Sequence, residues 1–508
     1  MPSKVGIVFN YLQLPDVLKY PFVINKQSNG NLVKKGLFVY TQSIEGYLIG
    51  IIEKIVLLNE YFSDALTIKA YNSENNPNIL KGLFPSEDFE YAIGIVKNLG
   101  VINFKSEEKN EILKIGRMTY PATPGKDVYL VEEDLLQKFL GLDPETGLYL
   151  GKLSVSNINA KIHMDRLFNK HFAILSISGG GKSYLCSIII EELLNRTKSH
   201  GTPAVILIDV HGEYSYLKDV SKSKNKVKSI DISYFQIAVP KMNAYTFRKY
   251  QEQISSVQVR ELSKYIKNLK KDEEKGTNYT IQDIIKEIEK EVDGNKSTKQ
   301  ALIGWLSDID RLKLFGAQEN PVIKNVIKQG EITIFNLQKE ISIIKKQIII
   351  DYICNRLFFL RRTNQIPPFL LIVEEAHQFC PEAAYSKALS KHIIETIARE
   401  GRKFMACLCL ISQRPKKLST TVLSQTNSKM ILNIKNPYDL KHLMDSSEAI
   451  TKEHAEMISS LGVGEMLLMG NAVNYPIFIE IRERFFKSSV EDITLSQVCL
   501  DWKENRLS

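Results

Sequence analysis

Cysteine is scarce and scattered in this chain. Cys186, Cys354, Cys380, Cys407, Cys409 and Cys499 form no C-x-x-C pair and have no histidine companions at zinc spacing. That excludes a disulfide framework and a zinc ribbon, and fits a reducing compartment. Cys407 and Cys409 alternate within an apolar, strand-like run, which points to core packing. Long apolar runs are absent too: residues 47–58 and 348–360 are broken by charges and too short to span a bilayer. No apolar segment accompanies Lys4 at the start, so no signal peptide is read, and a cytoplasmic, non-membrane protein is expected. No internal repeat or low-complexity tract is evident. Charge excess is modest: a net charge of +9 over 508 residues permits a nucleic-acid partner without requiring one. That length calls for two or three domains.

What is present begins with Ser176-Ile177-Ser178-Gly179-Gly180-Gly181-Lys182-Ser183, between an apolar stretch (172–175) and a helix-like run starting near Tyr184. This is a phosphate-binding P-loop with Ser176 in the first glycine position. Consecutive glycines let the backbone wrap an anion with its N–H groups, and the helix N-terminus adds partial positive charge. Ser178, Gly179, Gly180, Gly181, Lys182, Ser183 and Tyr184 are the expected nucleotide contacts. Lys182 is expected to reach the β- and γ-phosphates of ATP, and the Ser183 hydroxyl to ligate Mg²⁺.

The segment 370–373 is a buried strand that ends in Glu374-Glu375, where a P-loop fold places its acidic residues. Strand neighbours point to opposite faces, so a turn at the strand end is needed to present both acids. Glu374 is expected to hold Mg²⁺ through water, and Glu375 to orient and deprotonate the attacking water. Gln413, after the next apolar strand, is placed to sense the γ-phosphate. Arg402, with Arg399 second, is a candidate for stabilising charge on the transferring phosphoryl group from a neighbouring subunit; the plain alternative is a basic helix end. Asp209-Val210-His211-Gly212-Glu213-Tyr214 closes the strand after the P-loop helix, and reads either as an organiser of the pocket or as a turn built on Gly212. His211 and His377 lack partners at metal spacing, so a zinc site is rejected.

Around these motifs the chain changes character. Residues 1–155 read as short β segments (5–9, 37–41, 47–57, 111–115, 128–131), a small barrel or sandwich serving assembly or docking. Residues 156–485 alternate strands (172–175, 204–208, 333–336, 369–373, 406–411, 430–433) with helices, the signature of a parallel sheet. A charged helical insertion without strand signal occupies about 243–325. Residues 465–469 and 475–482 read as a closing hairpin, and 486–508 as a polar tail reaching a neighbouring subunit. The lysine run 218–228, and Lys416 with Lys417, are candidate contacts to a nucleic-acid backbone; an exposed, solubilising run is the plainer account of each.

In order and content these segments resemble the HerA branch of the HerA/FtsK ATPases. The matching pieces are residues 177–183, 208–214, 373–377, 397–404 and 411–415, with Ser459-Ser460-Leu461-Gly462-Val463-Gly464-Glu465 before the closing strands. The resemblance covers roughly residues 165–482. It implies an α/β, RecA-like P-loop ATPase core with a helical insertion, preceded by a small N-terminal β-barrel. It further implies a homohexameric ring that hydrolyses ATP between subunits and moves double-stranded DNA through its channel, partnered by a NurA-like nuclease in DNA end processing. The alternative it carries is an ATP-binding scaffold ring that activates a nuclease or NAD-consuming effector in antiviral defence. Relatives have an arginine just before the P-loop strand; Lys170 stands there in this chain and keeps the charge without the planar fork.

Overall fold

The computed structural model describes residues 3–10, 14–25, 33–59, 62, 65–73, 90–104, 112–220, 225–273, 278–291, 295–446, 450–486 and 499. The chain forms two compact units. One comprises Met1–Gly147, Gly151–Ile162 and Val473–Phe478; the other comprises Leu148–Leu150, His163–Ala472 and Ile479–Ser508. Most of the expected C-terminal tail, and Lys222 and Lys224 of the first lysine run, lie outside the described residues.

The smaller unit is built from β1 (Lys4–Val8), β2 (Lys19–Ile24), β3 (Phe38–Ser43), β4 (Gly46–Asn59), β5 (Glu90–Phe104), β6 (Ile112–Gly116) and β7 (Asp127–Leu130). Their order is β2-β1-β7-β3-β4-β5-β6, and a further β2–β5 pairing closes six of them into a barrel. Alternate residues of these strands point inward. Val5, Tyr20, Phe22, Val39, Leu48, Val96 and Val128 fill the interior, as small barrels require. β1, β3, β4, β6 and β7 overlap their expected spans; β2 and β5 were not expected. β5 carries Gly94 and Gly100, which read as punctuation in sequence. In the barrel a Cβ on Gly94 would lie 2.2 Å from Phe22 Cε1, so this glycine marks close packing inside a strand and not a turn.

The larger unit follows the short strands β8 (Leu148–Leu153) and β9 (Asn159–Ile162). Its sheet strands are β10 (Phe172–Leu175), β11 (Ala204–Asp209), β12 (Val227–Asp231), β15 (Ile332–Asn336), β16 (Phe369–Val373), β17 (Ala406–Ser412), β18 (Ser428–Ile431) and β19 (Glu465–Gly470), with β20 (Ile477–Ile481) last among the described strands. They lie in the order β12-β15-β11-β16-β17-β10-β18-β19. All neighbours are parallel except β18–β19. β10, β11, β16 and β17 are buried along their whole length, which explains why they read as unbroken apolar runs. This is the RecA-like α/β architecture. The order matters for function: β11, β16, β17 and β10 are successive neighbours, so the segments after Asp209, Val373, Ser412 and Leu175 emerge side by side at one sheet edge.

The insertion is helical: Ala244–Tyr250, Ser256–Glu273, Ile281–Lys290 and Lys296–Asp310. Ile281, Ile284, Ile285 and Ile288 are buried on one stripe, behind a Thr280–Asp283 capping box. Contrary to the all-helical expectation, Phe315–Gly316 (β14) pairs in parallel with Ile237–Ala238 (β13). Two residues leave no alternation for a sequence to display. A buried acid binds the insertion to the long helix Ile343–Arg362: Asp351 receives Lys249 Nζ at 2.5 Å and the Tyr250 hydroxyl at 3.1 Å.

Candidate functional site

The phosphate cradle hangs between two neighbouring strands. Ser176 N donates to Ser412 O (3.3 Å) and Ile177 N to Asn433 O (3.2 Å), so the entry to the loop is fixed from both sides. Gly179 and Gly181 have φ of +73° and +89°, the left-handed region that only glycine enters without strain. The helix Lys182–Asn195 starts without a side-chain cap, which leaves its first-turn N–H groups for an anion. Lys182 is 8 % exposed and rests its Nζ on Ile177 O at 3.1 Å. Burial lowers its pKa; Glu375, Glu213 and Glu374 pull the other way.

The paired acids meet through a backbone device. Glu375 adopts φ +47°, ψ +40°, left-handed for a non-glycine residue. Such a conformation costs on the order of 1–3 kcal/mol and is typical of functional sites. It supplies the turn needed to bring both carboxylates to one side: Glu374 is 3 % exposed and Glu375 4 %. Glu374 Oε2 accepts from Val210 N at 3.0 Å. Burial, then the charges of Asp209 and Glu213, push Glu374 up to about 8. Burial also raises Glu375, opposed first by Lys182, then by His211 and a hydrogen bond from Gln413. His377 Nδ1 lies 3.3 Å from Glu375 Oε2 and 3.2 Å from Ser412 Oγ. Burial pushes His377 down to about 4, so it is neutral at physiological pH.

Asp209 organises its own loop. Oδ1 accepts from Gly212 N (2.7 Å) and Glu213 N (3.1 Å), and Oδ2 from Tyr214 N (3.1 Å). The turn on Gly212 (φ +79°) and the organisation of the pocket are therefore one feature. Tyr214 is fully buried, with its phenol held well above its ordinary range by burial, Cys186 and Glu374. His211 and Glu213 remain exposed. No cluster of three metal-ligating side chains of the His, Cys, Asp and Glu types occurs among the described residues.

Lys182, Glu374, Glu375 and Gln413 thus converge, together with Asp209 and Glu213. Arg399 and Arg402 lie at the end of the helix Lys391–Glu400 and in the following turn Gly401–Phe404; both are exposed, and no bond joins them to this cluster. Of the first lysine run, Lys226 Nζ donates to Leu194 O (3.0 Å) and Lys228 pairs with Glu331 (3.2 Å), beside or within β12. Those two lysines are committed to the fold, not free in a loop. Lys416 Nζ stands 4.7 Å from the Tyr438 ring centroid and 5.7 Å from that of Tyr385, both exposed tyrosines. Lys417 is exposed, and Lys170 half-buried just before β10. Sequence reading overlooked Glu191, Arg482 and Arg484, which pack along the P-loop helix. The available signal was Glu191-Glu192 within the otherwise apolar run 188–194.

The chain matches a family described as "Helicase HerA, central domain" over residues 148–357. It is 30 % identical over 451 residues to a probable DNA double-strand break repair helicase HerA of Methanocaldococcus jannaschii, covering 78 % of this chain and 86 % of that one. It is 31 % identical over 427 residues to the DNA double-strand break repair helicase HerA of Sulfolobus acidocaldarius, covering 76 % and 79 %. Among solved structures, VirB4 of Thermoanaerobacter pseudethanolicus superposes with a TM-score of 0.52 at 15 % identity, covering 68 % of this chain and 98 % of VirB4, a likeness of fold. Among the described residues no helix is long and apolar enough to cross a membrane.

Proposed function

Because the chain belongs to the HerA family, and is on that footing a P-loop ATP hydrolase, we propose that it is a ring-forming, Mg²⁺-dependent motor on double-stranded DNA. The observation that carries the reading is the convergence of Lys182, Glu374, Glu375 and Gln413 at adjacent strand ends beside the glycine loop. The loop N–H groups and Lys182 bind the phosphate chain. Lys182 exchanges its bond to Ile177 O for phosphate oxygens.

The donor set fits a divalent cation. Glu374 and Glu375 are buried beside Asp209 and Glu213, whose charges add to burial in raising Glu374, so a cation held largely through water would relieve the crowding of carboxylates. Ser183 and Glu374 would hold Mg²⁺, which supplies charge neutralisation on the phosphates. Glu375 takes the proton of the attacking water; burial raises its basicity, and the Lys182 charge works against that rise. Gln413, beside Glu375, registers whether the γ-phosphate is present. Arg402, or Arg399 in second place, enters from the neighbouring subunit, which accounts for their exposure in a single chain. A hexameric ring, a NurA-like nuclease partner and a role in DNA end processing complete the proposal.

The test is ATP hydrolysis with and without linear double-stranded DNA, with particle mass measured on the same sample. Strong stimulation in a hexamer-sized particle is expected. An oligomer whose turnover ignores DNA would remove the motor reading.

A further inference from the structure

The P-loop helix carries a buried carboxylate that phosphate chemistry does not use. Glu191 is fully buried and accepts from Arg482 Nη1 (2.9 Å), Phe485 N (3.1 Å) and Phe486 N (2.9 Å). Arg482 is buried as well. Its Nη2 reaches Glu192 at 2.8 Å, its Nε donates to Tyr149 O at 3.0 Å, and its Cζ lies 3.9 Å from the Phe485 ring centroid. A buried ion pair holds its place only when the remaining donors are bonded too, and here each guanidinium nitrogen of Arg482 is. The segment 482–486 is therefore fastened along the helix that begins with Lys182.

That fastening fixes Arg484. Its backbone N–H donates to the Tyr184 hydroxyl at 2.9 Å, and its guanidinium carbon lies 4.5 Å from the Tyr184 ring centroid. Tyr184 follows Ser183 directly, so it stands about 3 Å along the helix axis from Lys182. Both side chains are half-buried, and the Arg484 guanidinium has no carboxylate partner among the described residues. With its phosphates at the helix N-terminus, a nucleotide can lay its sugar and base along this first turn. There it meets an aromatic ring, a flat cation stacked on it, and N–H donors without a partner, a surface suited to the π-face and ring nitrogens of a base.

We infer that Tyr184 and Arg484 form the shelf on which the purine base of the bound nucleotide stacks, with the Glu191–Arg482 clamp as its positioning support. The inference rests on the reading of Lys182 and Ser183 as nucleotide ligands.

Calorimetric titration of the full chain with MgATP and with magnesium tripolyphosphate separates base from phosphate. Arg484→Ala and Tyr184→Ala are each expected to weaken MgATP binding roughly tenfold, the scale of losing one base-stacking partner, while tripolyphosphate changes less than about twofold. Tyr184→Phe keeps the ring and is expected to retain most of the MgATP affinity. Equal weakening of both ligands would reduce the segment to a support of the P-loop and overturn the shelf, as would unchanged MgATP affinity in Arg484→Ala. Arg484 is half-exposed, so that variant decides the matter even where Tyr184→Ala does not fold. Wild-type protein that binds neither ligand would sink the nucleotide reading itself, an outcome distinct from the others.

Discussion

A Cβ on Gly180 would lie 1.9 Å from the hydroxyl oxygen of Ser176, the residue that occupies the first glycine position of the P-loop. The Ser176 hydroxyl is buried without a hydrogen-bond partner in the described structure, so the pair is tightly fitted and not cross-linked. Gly180→Ala is expected to weaken ATP binding at least about tenfold by pushing the loop open. Ser176→Gly removes the oxygen that collides, and the double variant is expected to regain most of the affinity. Titration of the two single variants and the pair checks this as a cycle. Equal losses from Gly180→Ala in both backgrounds would show that the carbonyl of Ile177, 3.2 Å from the same Cβ, governs instead.

Glu375→Gln preserves shape and polarity while removing the base. Turnover is expected to fall by about 10²–10⁴, with ATP affinity changed only a few-fold. Single-turnover hydrolysis and ATP titration on one preparation check the split. Retained turnover would transfer the role of base away from Glu375.

Arg402→Ala is expected to lower turnover by about 10³ or more without weakening ATP binding, the scale of an arginine supplied across an interface. The informative measurement mixes Arg402→Ala chains with Glu375→Gln chains. If the arginine acts in trans, junctions form that have both an intact base and an intact arginine, and activity returns. No recovery at any mixing ratio would place the arginine in cis or leave it outside the chemistry.

The legible parts of this protein were those with a strict local signature. Fully buried parallel strands such as β16 and β17 show as apolar runs, and the acids after β16 and Gln413 after β17 are read off directly. The strand order, which sets Glu375 beside Gln413 and Lys182, is a global property that no local pattern carries. β5 was obscured by its glycines, of which Gly94 serves close packing against Phe22, and β12 by the lysines beside and within it. The left-handed turn at Glu375 was hidden because nothing in a glutamate announces positive φ. The clamp of Arg482 on Glu191 joins positions nearly three hundred residues apart, a distance no local pattern crosses.

His171 gives a stability test independent of catalysis. It is buried just before β10, and its Nδ1 accepts from Leu408 N at 2.9 Å, so that nitrogen carries no proton. Burial pushes its pKa down to about 4 from an ordinary 6.5, against the opposing pull of the Ala398 and Ile397 backbone. Between those values the unfolded chain binds the proton and the folded one does not. Stability from this group is therefore complete above about pH 6.5 and is lost as pH falls towards 4, on the order of 3 kcal/mol in all. His377, held down to about 4 by burial, adds a second contribution of the same sign. His171→Asn keeps an acceptor for Leu408 N–H but does not titrate. It is expected to be less stable at pH 7, through lost ring volume, yet to lose less Tm than the wild type between pH 7 and pH 4.5. Parallel Tm–pH profiles for the two proteins would show that His171 is already charged in the folded state.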